Sequence, residues 1–237
     1  MRIVVISPTQ WVFACQALSC RSRRLGAIEF ASVGRANSSG KPILYLADRI
    51  ETALSEIRLQ QGHVITANFQ IQANKVCQIL PIGEMLSIQR TGKSRFVPDA
   101  GPINDIINAC EHEDAQSYLI TDSFLHEILV NDKAPYQISS YLCDALYKKY
   151  PSVTVIAYPS AQLNAAINYA VKTDDFWNVW GVSGISKFNG EHLVQGVYKV
   201  TQRKNVIKIY DNDQLAWGNF LEDQRITDLP KHLWTPL

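Results

Sequence analysis

Four side chains in this sequence have types and settings suited to handling a phosphate-bearing ligand: Arg35 in the turn GRANSSG, Tyr45 in the apolar run ILYLA, Glu56 in TALSEIR and Ser160 in AYPS. A guanidinium makes charge-assisted, often bidentate bonds to phosphate oxygens. Tyrosine offers a flat apolar face with a polar tip. A helix can hold a carboxylate at a cleft edge, where it stabilises developing positive charge. A serine at a strand end can donate a hydrogen bond. Taken singly, each residue has an ordinary reading: Arg35 a solvated charge, Glu56 a solvent-facing helix residue, Tyr45 core, Ser160 a turn residue or helix cap. The succession of turn arginine, strand tyrosine and helix glutamate singles out Arg35, Tyr45 and Glu56, while Ser160 keeps both readings.

The rest of the chain narrows the chemistry. Histidines 63, 112, 126, 192 and 232 show no HExxH or related ligand spacing, and Cys15, Cys20, Cys77, Cys110 and Cys143 form no CxxC pair, so a metal site is not expected. Neither GxGxxG nor GxxxxGK[ST] occurs. With 23 basic against 22 acidic residues, nothing predicts a dedicated nucleic-acid binder, and an anionic ligand must meet a local cluster. An apolar share of 46% with 19% charged residues is that of an ordinary globular protein. Scattered, odd-numbered cysteines favour a reducing cytoplasm. The opening MRIVVISPTQWVFACQALSC is apolar, but Pro8, Gln10 and Gln16 interrupt it, which argues against a secretory signal or a membrane span.

The elements that must position these residues are partly legible. Ile43 to Ala47 reads as a short buried strand. Asp48 reads as a helix cap with Glu51 as its reciprocal acid, and Ile50, Ala53, Leu54 and Ile57 share one helix face, with Glu56 beside that stripe and Gly62 as the end. His63 to Ile71 and Val76 to Leu80 read as strands. Residues 83 to 103 read as a long excursion, followed by a short helix around Ile103, Ile106 and Ile107 and a polar EHEDAQ stretch. Pro135 opens a helix with Ile138, Leu142, Ala145 and Leu146 on one face, ending near Tyr150 before Pro151. Val153 to Tyr158 reads as a strand and Leu163 to Val171 as a helix. Leu193 to Thr201 and Val206 to Tyr210 read as strands of a hairpin turning through QRKN. Trp177, Trp180, Trp217 and Trp234 are expected in core or at an interface. The expectation is one α+β domain over residues 1–237 with a β-rich C-terminal part that extends the same sheet.

The GRAN turn, the strand tyrosine, the SEIR helix and the later serine together resemble the RES-domain family, named for an arginine, a glutamate and a serine. The resemblance runs from about Arg21 to Val171, with residues 172–237 as an extension, and its specific part is the block from GRAN to SEIR. It implies an ADP-ribosyltransferase-like split β-sheet flanked by helices, NAD⁺ as substrate rather than cofactor, and for many members a toxin restrained by an antitoxin and a homodimer. The family's early arginine has three candidates here, Arg21, Arg23 and Arg24.

Resemblance thus implies cleavage of the nicotinamide–ribose bond. As that bond breaks, nicotinamide leaves neutral and the ribose becomes oxocarbenium-like. Ordinary glycosidases need two carboxylates because their leaving oxygen must be protonated; here Glu56 alone suffices. Arg35, with Arg21, Arg23 or Arg24, would grip the pyrophosphate, Tyr45 would face nicotinamide or ribose, and Ser160, supported by Asn164 one helical turn on, would bind the amide or a phosphate. The acceptor is water or phosphate. The alternatives are transfer of ADP-ribose to a macromolecule, or a silent nucleotide-binding module.

Overall fold

A computed structural model describes residues 4–6, 11–16, 32–95, 105, 108–174, 176–210, 214–219 and 235. Its strands are β1 (Val4–Ile6), β2 (Trp11–Gln16), β3 (Ile43–Ala47), β4 (Gln61–Ile71), β5 (Cys77–Pro81), β6 (Val155–Pro159), β7 (Ile167–Lys172), β8 (Trp180–Val194), β9 (Val197–Ile209) and β10 (Leu215–Asn219). The helices are α1 (Ile50–Glu56), α2 (Glu84–Thr91), α3 (His112–Asn131), α4 (Gln137–Lys149) and α5 (Phe176–Val179). The fold is α+β, and the helices lie against a sheet ordered β1-β5-β6-β7-β3-β2-β4-β8-β9-β10.

That sheet nearly separates in its middle. β2 runs beside β4 from the pair Trp11–Phe69 to the pair Gln16–Val64, but it meets β3 only where Val12 lies opposite Ala47. The two halves share one core, in which Leu44, Leu46, Ile79, Val155 and Val171 of the first pack with Phe69, Ile71, Trp180 and Val182 of the second. Phe176 of α5 stacks on Trp180 there, ring centroids 5.9 Å apart. The opposite face of the first half carries Leu80, Ile156, Tyr158 and Ala170 against Leu125 and Leu129 of α3 and Cys143, Leu146 and Tyr147 of α4. A third cluster sets Ala53 and Leu54 of α1 on Leu59, Val64 and Phe188.

Several expectations hold: β3, β4, β5 and β6 fall where strands were read, and α1 buries the expected stripe. Others need correction. The 83–103 excursion contains α2, whose N-terminal N–H groups at Gly83 and Leu86 are capped from α3 by the Asp122 carboxylate at 2.7 and 3.1 Å. The EHEDAQ stretch opens the 20-residue helix α3. The short helix expected around Ile103, Ile106 and Ile107 falls mostly outside the described residues. In α4 the inward face is Ser139, Cys143, Leu146 and Tyr147, while Ile138 is 63% exposed. Leu163 to Val171 is not helical: it is a turn and then β7, antiparallel to both β6 and β3. The final hairpin turns at Gln195 and Gly196, and QRKN lies inside β9. Residues 4–6 and 11–16 form sheet strands, and β8 to β10 extend the same sheet. Among the described residues no helix is long and apolar enough to cross a membrane.

Candidate functional site

Glu56 ends α1. The expected capping box does not form: Arg49 occupies the cap position and its side chain does not cap the helix, and Asp48 Oδ1 instead accepts from the Thr52 hydroxyl at 2.6 Å. The other end is firmly closed. Leu59 N donates to Leu54 O and Arg58 N to Ser55 O, each at 3.0 Å, the paired bonds of a Schellman stop. Arg58 takes the left-handed position at φ 51 that glycine usually fills, so the helix ends there and not at Gly62. Glu56 is thereby fixed one residue inside a defined helix end, on its exposed side.

Its carboxylate is gripped through one oxygen. Oε1 accepts from Ser160 Oγ and from Asn168 Nδ2, both at 2.6 Å. Ser160 leaves β6 and in turn accepts from the backbone N–H of Gln162 and of Leu163 at 3.0 Å, so its single proton is directed at Glu56. Asn168 stands in β7 directly opposite Tyr158 of β6 and Ala47 of β3. The expected helical turn from Ser160 to Asn164 is replaced by a tight turn in which Asn164 is exposed, and the asparagine that joins Ser160 on the Glu56 carboxylate is Asn168.

Arg35 and Tyr45 build the other side. In the GRAN turn, Gly34 and Asn37 exchange backbone bonds of 3.0 and 3.3 Å. The Tyr45 hydroxyl accepts from Ala36 N and donates to Asn37 Oδ1, both at 2.8 Å. Asn37 Nδ2 then donates to Ser32 O at 2.8 Å and Ser38 O at 3.2 Å. Gly34 is required because an added Cβ would lie 2.7 Å from the Tyr45 oxygen. Burial pushes the Tyr45 phenol well above its ordinary range, so it remains a donor. Arg35 Nη1 donates to Leu129 O at 2.5 Å and Val130 O at 3.0 Å, the last carbonyls of α3, and its guanidinium lies 4.9 Å over the Tyr136 ring. Those carbonyls carry the partial negative charge of a helix C-terminus. Nη1 is committed to these carbonyls, and among the described residues no hydrogen bond from Nε or Nη2, the other donors of the guanidinium, is seen.

Tyr158 pairs with Asn168 in the sheet and belongs to the core cluster against which Tyr45 packs. It is 3% exposed and shares its sheet face with Asn168. Burial first, then the Tyr45 hydroxyl and the Glu56 carboxylate, raise its phenol well above the ordinary value, while Arg35 pulls the other way. Both charges thus act on one ring. Sequence reasoning missed Asn168, Tyr158 and Tyr136. Arg21, Arg23 and Arg24 lie outside the described residues. Among the described residues no group of three or more His, Cys, Asp or Glu is placed to hold a metal ion.

The sequence model of the RES domain matches residues 21–179, about two thirds of the 237-residue chain. Among curated proteins, none matches it.

Proposed function

The chain belongs to the RES domain family, and from that premise we propose that it cleaves the nicotinamide–ribose bond of NAD⁺, with water or phosphate as acceptor. The observation that supports this most is the Glu56 carboxylate, held by Ser160 and Asn168 through one oxygen on the exposed side of α1. Its second oxygen is the group that would take the ribose hydroxyls and stabilise the oxocarbenium-like transition state. The electrons of the breaking C–N bond return to the pyridinium nitrogen, so nicotinamide leaves neutral and no general acid is required. Attack by water gives ADP-ribose, its extra proton passing to solvent; attack by phosphate gives ADP-ribose 1-phosphate.

The remaining residues have roles in keeping with this. The Nε and Nη2 edge of Arg35 suits the pyrophosphate, with Arg21, Arg23 or Arg24 as second clamp, and Tyr45 supplies ring surface. Asn164 is close enough in sequence to Ser160 to touch the same ligand from the turn. The near-division of the sheet at β2 and β3 favours an ADP-ribosyltransferase-like split. We further propose that the activity is that of a cytoplasmic toxin, a homodimer whose site an antitoxin covers.

Purified protein mixed with NAD⁺, with and without phosphate, should release nicotinamide and one of the two small products by mass spectrometry. Folded Glu56→Gln should not. Equal release by that variant defeats the assignment. Label from NAD⁺ bound covalently to protein or nucleic acid would favour transfer to a macromolecule, and calorimetric binding without turnover a silent module.

A further inference from the structure

Residues 180–219 lie beyond the family match, yet the tip of the β8–β9 hairpin returns to the two segments that hold Glu56. Gly196, at φ +75 in the hairpin turn, lies so close to Leu163 that a Cβ there would be 2.7 Å from Leu163 Cδ1. Beside it, Gln195 Nε2 donates to Gln162 O at 3.3 Å. Gln162 and Leu163 are the residues whose N–H groups fix the Ser160 hydroxyl. On the other flank, the Tyr198 hydroxyl lies 3.0 Å from Ser55 Oγ, and Tyr198 packs against the α1 cluster.

Proton accounting sets the direction of that last bond. A serine hydroxyl has one proton to give, and Ser55 gives it to Glu51 O at 2.7 Å. Tyr198 is therefore the donor and Ser55 the acceptor. Ser55 is 8% exposed and adjoins Glu56 in the chain. A helix of seven residues is too short to be stable through its own backbone bonds, so the orientation of its last residue depends on tertiary ties.

We propose that Tyr198 is a positioning residue for Glu56, and that the hairpin tip is a clamp that keeps the end of α1 and the Ser160 turn in mutual register. This rests on the reading of Glu56 as the catalytic carboxylate. Tyr198 touches no reacting atom in this account; it sets where the carboxylate stands, and a small misplacement of such a group is costly.

The test is Tyr198→Phe, which removes one oxygen and keeps the ring, with Lys199→Ala on the same strand as control. In Tyr198→Phe, kcat for nicotinamide release should fall by about ten- to a hundredfold with KM unchanged and Tm close to wild type. Hydrogen exchange should quicken at the amides of Arg58, Leu59, Gln162 and Leu163. The control should match wild type in all four readouts. A wild-type kcat in Tyr198→Phe, or a lowered Tm with kcat intact at low temperature, overturns the inference while the proposed activity stands. If wild-type protein releases no nicotinamide, the proposed activity falls instead, and exchange decides the clamp: faster exchange at those amides supports it, and unchanged exchange removes it.

Discussion

Arg35 and Glu56 are each held through one arm, but by partners of different kinds. Arg35 gives Nη1 to two main-chain carbonyls at the end of α3, with Tyr136 beneath the guanidinium. Glu56 gives Oε1 to two neutral side chains, a serine hydroxyl and an asparagine amide. The carbonyls at α3 would be left without those donors if the guanidinium were removed, so Arg35 serves fold and site together. The partners of Glu56, Ser160 and Asn168, are themselves buried, but they need only an acceptor oxygen, which an uncharged amide at position 56 also supplies. The difference separates a charge whose loss costs stability from one whose loss costs chemistry alone.

The largest expected effect follows from that. Glu56→Gln removes the charge and keeps the shape, and nicotinamide release should fall by about 10²–10³-fold in kcat, the loss typical of removing one preorganised electrostatic group. Its thermal melting should stay close to wild type. A melting point that falls along with the activity would erase the contrast.

Arg35→Ala comes next and should lose on both counts. Two carbonyls at the end of α3 lose their charged donor, which costs about 1.5–3 kcal/mol by denaturant unfolding. With the fork of donors gone, KM for NAD⁺ should rise more than kcat falls. Arg35→Lys should recover part of the stability but little of the KM, since an ammonium cannot present the planar pair of donors. Full recovery by lysine would show that charge alone matters there.

Ser160→Ala and Asn168→Ala sharpen the Glu56 side. Both donors act on one oxygen, so each single change should lower kcat by about tenfold and the pair by less than the product, because residues sharing a partner are not additive. Strict multiplication of the two effects would mean that they act through different atoms.

The same two sides differ in how far the sequence disclosed them. Arg35, Tyr45 and Glu56 lie in a continuous block, where a turn, a strand and a helix follow each other with clear punctuation. Asn168 was hidden because β7 is buried along Ile167–Val171, and a strand covered on both faces has no alternation to distinguish it from a helix. α3 was hidden for the opposite reason. Its apolar residues go around the axis, with Ile120 and Phe124 exposed at 68% and 61%, so no stripe marks it. With α3 unread, the carbonyls that hold Arg35 had no place in the expectation. In the C-terminal ribbon, QRKN looks like a turn because β9 is solvent-facing there and tolerates polar residues, whereas the real turn needs only Gln195 and the left-handed Gly196.

The smallest effect belongs to Tyr45, on the Arg35 side. Tyr45→Phe keeps the ring but strips a donor from Asn37 and an acceptor from Ala36 N, and should cost about 1–2 kcal/mol with little change in kcat. Its pH dependence identifies the cause. Burial holds the folded phenol well above the ordinary value of about 10, so the hydroxyl stabilises the fold fully below that value. Above it, the unfolded phenol loses its proton first, the unfolded state gains, and wild-type stability drops towards the folded pKa. Phenylalanine has no proton to lose. The stability gap between wild type and Tyr45→Phe should therefore be constant from pH 6 to 9 and narrow above pH ~10. A gap that stays fixed through alkaline titration would mean that the hydroxyl is not held as a protonated donor in the turn that carries Arg35.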